Sequence, residues 1–298
     1  MNETDGNKTG ILYVAATPIG NLEDITLRCL RVLGEVDLIA AEDTRHTRKL
    51  LTHFQISTPL ISYYREKEVE RSAQLIQRLL GGESIALVSD AGTPAISDPG
   101  ALLVARAHEA GITVVPLSGA SALTTALSAS GITNPHFLFL GFAPSKKSQR
   151  RSLLTSLKDV PWPVIFYESP RRIEGLLSDI LKIMGNRNGF WGRELTKAYE
   201  DLRKGTINSL LEQASSQTNR GEFVLVVEPG TTLSAEGENL QDLLIWYRDN
   251  TTLSLKDVSR KLAGDLGLSR SVVYQEALIV YKENRETVEG EVIKKGDT

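Results

Sequence analysis

The chain has 298 residues, 41% of them hydrophobic and 24% charged, with a formal net charge of −3. That length accommodates two α/β domains with a smaller appendage, and the mildly acidic balance argues against a packaging role that holds nucleic acid by total charge. A lone cysteine, Cys29, excludes an internal disulfide and a cysteine zinc cluster. Apolar runs such as those at 137–140 and 223–227 are far too short to span a bilayer. No basic-then-apolar leader follows Met1, and the polar opening MNETDGNKTG reads as a frayed end, so the expected setting is cytoplasmic.

From Gly10 to Gly131 short apolar runs alternate with helical patterns. Strands are expected at 11–15, 36–41, 60–63, 85–88 and 113–116, and helices at 24–33, 44–54, 66–80 and 101–110. Such alternation predicts a mostly parallel sheet with helices on both faces. The run 118–131 reads as a helix made almost wholly of small residues, and the turn at 131–135 as a junction. A second α/β set follows, with strands at 136–141, 164–167, 190–193 and 223–227 and helices at 148–157, 170–183 and 206–213. The polar stretch 231–239 reads as a linker. Beyond it the pattern is entirely helical. Leu255, Val258, Leu262 and Leu266 form one stripe, Gly267 breaks it, and Ser269 caps a second helix carrying Val273 and Ala277. This resembles a helix-turn-helix, and the charged tail after Asn284 is expected to be disordered. The fold class is therefore α/β: two α/β domains (10–131 and 136–230) plus a small all-helical C-terminal domain (239–283).

Chemistry gathers where strands are expected to end. The first strand runs into Thr17, Pro18, Ile19, Gly20 and Asn21; the fourth into SDAGTPAISDPG, from Ser89 to Gly100; the fifth into Leu117–Ser121. In open α/β sheets ligands bind at that edge, and three such loops can enclose one ligand. No GxGxxG and no GxxxxGK[ST] occurs, so the dinucleotide and P-loop fingerprints are both missing and a nucleoside triphosphate is disfavoured. Asp90 could accept hydrogen bonds from a ribose, an ammonium or backbone amides, or could simply serve a turn. Thr93 precedes Pro94, which fixes the backbone there. Asp98-Pro99 reads as cap and first helical residue, a structural pair. Gly119 to Ala122 open the small-residue helix and are candidate ligand contacts.

The run AAEDTRHTRKLL puts Glu42 and Asp43 at another strand end, with Arg45 on the first helical turn. They are candidates for orienting a substrate hydroxyl; the plainer alternative is a helix cap with a surface charge. Glu168 in FYESPRR and Arg193 and Glu194 in GRELTK are comparable groups in the second half. The four histidines show no metal spacing, so no metal is expected. Cys29 sits in an apolar helical pattern and reads as a packed thiol. Basic clusters at Arg45, Arg48 and Lys49, at Lys146, Lys147, Arg150 and Arg151, and at Arg171 and Arg172 are either solvated faces or local patches for a polyanion.

Taken together, YVAATPIGNLEDITLR, AEDTRHTRKLL, SDAGTPAISDPG, PLSGASALTTALSASG, FLGFAPSK, FYESPRR and GRELTK, in this order, resemble the small-subunit ribosomal RNA 2′-O-methyltransferase family. That family lies within the tetrapyrrole-methylase-like, class III group of S-adenosylmethionine enzymes, and the resemblance covers roughly residues 11–281. It implies a cofactor cleft between the two α/β domains, S-adenosyl-L-methionine as cofactor and methylation of a cytidine ribose 2′-hydroxyl in the decoding region of small-subunit RNA. It also implies a homodimer. Carried over position by position, the donor-binding residues are Pro18, Asp90, Thr93, Ser121 and Ala122 in the first domain and Tyr167 and Phe223 in the second. Glu42, Asp43 and Arg45 then become the substrate-side catalytic candidates. Competing readings are a methyltransferase acting on a tetrapyrrole, which would share the scaffold, and a non-catalytic RNA-binding protein built around the helix-turn-helix. The basic clusters favour RNA over the first, and the strand-end loops exceed what the second requires.

Overall fold

The computed structural model describes residues 9–216, 221–230, 240–266 and 269–293. The chain forms two compact units, Met1–Gly230 and Thr231–Thr298. The larger unit contains two five-stranded sheets.

In the first sheet β1 (Ile11–Ala15), β2 (Leu38–Ala41), β3 (Leu60–Ser62), β4 (Ile85–Val88) and β5 (Thr113–Leu117) pair in the order β3-β2-β4-β1-β5, all parallel. Both β2 and β4 are buried at every position. This is why they read as unbroken apolar runs and not as alternating ones. Leu38 and Ala40 face one core with Leu12, Leu75, Leu79 and Leu103. Ile39 and Ala41 face the other with Ala15, Leu33, Leu51 and Val88. The covering helices are α1 (Leu27–Glu35), α2 (Thr44–His53), α3 (Glu68–Leu80) and α4 (Ala101–Glu109). α1 begins three residues later than the sequence pattern predicts. Thr26 is its cap, accepting from the Cys29 amide at 3.1 Å, and a separate 3-10 turn occupies Leu22–Asp24.

The second sheet is mixed. β6 (Leu138–Phe142) and β7 (Val164–Glu168) are parallel, whereas β10 (Phe223–Val227), β8 (Asn188–Arg193) and β9 (Asp201–Thr206) add antiparallel, in the order β6-β7-β10-β8-β9. β9 was not expected from the sequence. One face packs Phe166, Trp191, Phe223 and Leu225 against α6 (Lys147–Ser156), α7 (Ile173–Met184) and α8 (Ile207–Ser216), through Leu154, Leu176, Ile180 and Leu210. The opposite face, carrying Ile165, Phe190, Val224 and Val226, receives Ala126 of α5 (Ala122–Ser130). The small side chains of α5 thus let it lie closely on the second sheet although it follows the first sheet's last strand.

The smaller unit is helical: α9 (Leu240–Asn250), α10 (Leu255–Leu266) and α11 (Arg270–Ile293) around Leu244, Val258, Leu262, Val273, Ala277 and Val280. α11 continues past Asn284, where the sequence suggested a disordered tail. The expected frayed residues 1–8, the linker at 231–239 and the break at Gly267 lie outside the described residues.

Candidate active site

Because β2, β4, β1 and β5 are neighbours and all parallel, the loops leaving their carboxyl ends meet along one edge. They are tied together by backbone and short side chains. Thr17 and Gly92 exchange two amide hydrogen bonds of 2.9 Å. The Thr17 hydroxyl also donates to the Ser89 carbonyl at 3.2 Å. Gly92 sits at φ +78°, a conformation that admits glycine readily. Thr93 donates its hydroxyl to the Ala120 carbonyl at 3.1 Å, joining the β4 and β5 loops. At the neighbouring edge the Asp90 carboxylate accepts the Asp43 amide at 2.9 Å, and the Glu42 carboxylate accepts the Asp90 amide at 3.4 Å. That reciprocal clasp orients both acids.

These loops wall one side of a cleft of about 300 Å³. Glu42, Asp90, Thr93, Asp98, Ser121 and Ala122 line it from the first half, and Tyr167, Glu168, Leu195, Lys197, Glu222, Phe223 and Val224 from the second. Burial raises the carboxyl pKa of Glu42 and repulsion from Asp98 adds to it, against the hydrogen bond from the Asp90 amide, which lowers it. Burial and then Asp90 raise that of Asp98, against a smaller opposing pull from Arg65. Carboxylates held in this way favour a cation arriving among them. The one lysine of the wall among the described residues is neutralised: Lys197 Nζ lies 2.7 Å from Glu194 and 3.4 Å from Glu222. Burial works to discharge this ammonium, but those two acids hold its pKa above the ordinary value. Two polar atoms in the lining, Ser97 Oγ and Glu168 Oε2, are buried without a hydrogen-bond partner among the described residues. Backbone strain gathers here as well, with positive φ at Ala95, Glu194 and Thr196. The arrangement can hold a ligand that has a positive centre and an apolar body.

Of the residues singled out from the sequence, Glu42, Asp90, Thr93, Ser121, Ala122, Tyr167 and Phe223 all line this cleft. Tyr167 does more than line it. Its hydroxyl accepts the Leu123 amide at 3.1 Å, supplying the start of α5 with the bond that Ser121 at the cap position does not make. Burial raises the pKa of its phenol. Phe139 and Phe142 pack edge-on against its ring at 4.9 and 5.9 Å. The ring of Phe223 belongs to the core on the far face, edge-on to Trp191 at 5.5 Å, and its neighbour Val224 joins the apolar group on the cleft face.

Three positions fall elsewhere. Pro18 lines a separate hollow beside α2. Asp43 caps α2, accepting the Arg45 amide at 2.8 Å, and is held as a carboxylate well below its ordinary range by the Arg45 guanidinium 2.7 Å away. Arg45 itself lies on the exposed face of α2 with Arg48, Lys49 and His53. The basic clusters of the second half are also partly spent inside the fold. Arg150 and Arg151 both bind Asp179, at 2.6 and 2.8 Å, and Arg172 binds Glu168 at 3.0 Å.

Sequence reasoning missed Asp98, Lys197 and Glu222 as cleft residues. Asp98 is not the cap of α4; Gly100 is, at φ +142° and without a side-chain cap bond, and this leaves the Asp98 carboxylate facing the cleft. The signal was the second acid of SDAGTPAISDPG. Lys197 and Glu222 come together only through tertiary pairing.

The model of the tetrapyrrole (corrin/porphyrin) methylases matches residues 11–211. A protein of Halalkalibacterium halodurans called ribosomal RNA small subunit methyltransferase I is 44% identical over 276 residues, covering 89% of this chain and 93% of that one. One of the same name from Synechocystis sp. is 45% identical over 273 residues, covering 90% and 98%. Among solved structures, uroporphyrin-III C-methyl transferase from Thermus thermophilus complexed with S-adenyl homocysteine superposes with a TM-score of 0.53 at 15% identity, over 73% of this chain and 97% of that one. At that identity the superposition establishes shared architecture. The sequence relatives carry the assignment further: the chain belongs to the tetrapyrrole (corrin/porphyrin) methylases and, within them, to the ribosomal RNA small subunit methyltransferase I family, and it is an enzyme, a methyltransferase.

Proposed function

We propose that this enzyme methylates small-subunit ribosomal RNA from S-adenosyl-L-methionine held in the cleft, and that the acceptor is the 2′-hydroxyl of a cytidine ribose in the decoding region. The carrying observation is the crowding of Glu42, Asp90 and Asp98 around a cleft whose lining lysine, Lys197, is already paired. Such a site suits a donor with sulfonium and ammonium charges and repels a polyphosphate. When bound, the donor supplies an activated methyl group: the new O–CH₃ bond forms as the S–CH₃ bond breaks, the bonding pair stays on sulfur, and the hydroxyl proton leaves to solvent or a carboxylate.

The protein's part is placement. Asp90, fixed by the Asp43 amide, Glu42, fixed by the Asp90 amide, and Asp98 hold the positive charge. Thr93 and Ser121 offer polar atoms, Ala122 leaves room at the start of α5, and Tyr167, Leu195 and Val224 cover the apolar body. Phe223 contributes by seating Val224 on the cleft face. Asp43 keeps Arg45 anchored at the edge, where its exposed guanidinium can meet RNA backbone. Methyl transfer to a ribose hydroxyl requires in-line alignment, and fixed walls supply that alignment. The homodimer belongs to the same reading, supported by the family resemblance, and sedimentation of the purified chain tests it.

The reaction is tested by transfer of labelled methyl to small subunits lacking the modification, followed by nuclease digestion and nucleoside mass analysis. The expected product is 2′-O-methylcytidine. Label on a base, or on no RNA at all, would overturn the assignment.

A further inference from the structure

The cleft is not alone at this sheet edge. The backbone joined by the Thr17–Gly92 bridge has a second concavity beside it, a hollow of about 210 Å³ between the first-strand loop and α2. Its walls include the apolar side chains of Pro18, Leu22 and Leu50, and its lining also includes two exposed α2 side chains, His46 and Lys49. Asp90 lines this hollow and the donor cleft alike, so the two concavities share one residue, whose carboxylate is pinned by the Asp43 amide.

We infer that this hollow seats the acceptor nucleotide, its base against Pro18, Leu22 and Leu50 and its phosphate on Lys49 and His46. The inference rests on the RNA-methylating function proposed above and names the acceptor subsite within it. Three observations carry it. First, the charge of the hollow's outer side is available. Arg45 is tied to Asp43, whereas Lys49 and its neighbour Arg48 take part in no ion pair among the described residues. Unpaired cations beside an apolar pocket suit a nucleotide, which has an apolar face and an anionic end. Second, two hydroxyls of the lining stiffen the wall toward the donor cleft: Thr17 donates to the Ser89 carbonyl, and Ser89 to the carbonyls of Ala91 and Gly92. Third, the size selects an unpaired nucleotide. A space of about 210 Å³ takes one base but neither a duplex nor a planar tetrapyrrole. An enzyme acting in this way needs its target in a loop or turned out of its stack.

Two variants test it. Leu22→Trp fills the hollow from its exposed outer side, where Leu22 is 40% accessible and outside the core. Lys49→Glu reverses the charge. Three quantities are read for each: Kd for unmodified small-subunit RNA by filter binding across a salt series, Kd for S-adenosylmethionine by calorimetry, and KM for RNA in methyl transfer. Leu22→Trp is expected to raise KM for RNA by about tenfold or more with donor Kd unchanged. Lys49→Glu is expected to weaken RNA binding and flatten the salt dependence by about 0.7 in log–log slope, the share of one single-strand phosphate. Unchanged RNA binding and KM in both variants would overturn the acceptor site and leave the enzymatic reading standing. Loss of donor affinity with RNA binding intact would overturn it too, by giving the hollow to the donor. Should the wild type bind RNA without methylating ribose while both variants lose that binding, the hollow stands and the 2′-O reading falls.

Discussion

The two sheets of the larger unit meet the cleft in different ways. The first presents the carboxyl ends of parallel strands, so its contribution is loops: acids, hydroxyls and glycines fixed by backbone bonds such as those between Thr17 and Gly92. The second presents strand side chains and a hairpin loop, and contributes Tyr167, Val224 and Leu195, with its charges already paired among themselves, Lys197 with Glu222 and Glu168 with Arg172. Charge recognition therefore sits on one half and shape on the other. Altering the first should change which ligand binds; altering the second should change how firmly the cleft is held.

The largest effect is expected on the second half. Asp179 is 2% exposed and receives both Arg150 and Arg151. Removing Asp179 strands the buried Arg150, while the part-exposed Arg151 can turn to water, so Asp179→Ala should cost about 3 kcal/mol of stability in chemical denaturation. Burial opposes ionisation of Asp179, but hydrogen bonds from Arg151 and Arg150 prevail and hold its carboxyl below the ordinary value of 3.8. A lowered folded-state value stabilises above the unfolded one and is lost as pH falls through the folded one. Wild type should accordingly lose stability below pH 3.8, and the variant should lack that component. A variant as stable as wild type at neutral pH would show that this cluster is only surface decoration.

Tyr167→Phe comes next and probes the join between the halves. It leaves the Leu123 amide without its acceptor at the start of α5. An unsatisfied donor at this part-buried site costs at most about 1–3 kcal/mol, and hydrogen exchange should accelerate over the first turn of that helix. Unaltered exchange there would mean that the phenol serves the ligand alone.

Asp98→Asn separates charge from shape within the cleft. Donor affinity should fall by about tenfold, the loss of one charge contact. The ligand-free protein should melt higher, because the repulsion between Asp98 and Asp90 disappears. The pH dependence has a definite sign. The folded-state pKa values of Glu42 and Asp98 are raised, so their neutral forms favour the empty fold, and that contribution is lost as pH rises through those values. Over the same rise donor affinity should tighten in wild type and tighten less in Asp98→Asn. A donor Kd independent of pH across the weakly acidic range would remove these carboxylates from donor binding.

The contrast between the halves also explains what the sequence disclosed. Ile85–Val88 and Leu38–Ala41 are buried on both faces, so their runs announce parallel strands, and the turn chemistry that follows announces a site. Asp90, Thr93 and Ser121 were legible for that reason. Val224 was not, since a valine on the cleft face of a strand looks like Leu225 on the core face until the sheet's two sides are known. Lys197 and Glu222 meet across a long sequence separation, at 3.4 Å, and no local pattern foretells such a pair. Asp98 was misread because Asp-Pro ahead of a helix usually marks a cap, whereas here the chain turns two residues further, at Gly100, before α4 begins.

The strand missed altogether, β9, offers the smallest test and sharpens the same comparison. Its sequence, DLRKGT, carries charge at half its positions and reads as a loop. It can pair because it is an edge strand, where charged side chains are tolerated and deter further pairing. Arg203 shows what its charges do. Its guanidinium lies 5.5 Å over the Trp191 ring, with Nε on Asp201 at 2.8 Å and one terminal nitrogen on Gln213 at 2.8 Å. This arginine covers a buried indole whose Nε1 has no hydrogen-bond partner among the described residues. Arg203→Gln should therefore cost roughly 0.5–1 kcal/mol of stability, the value of a partly exposed cation–π contact. It should leave RNA affinity, its salt slope and methyl transfer at wild-type values. A flattened salt slope in this variant would move part of the RNA path onto the outer edge of the second sheet and away from the α2 face, and the division between a charge-reading half and a shape-holding half would no longer hold.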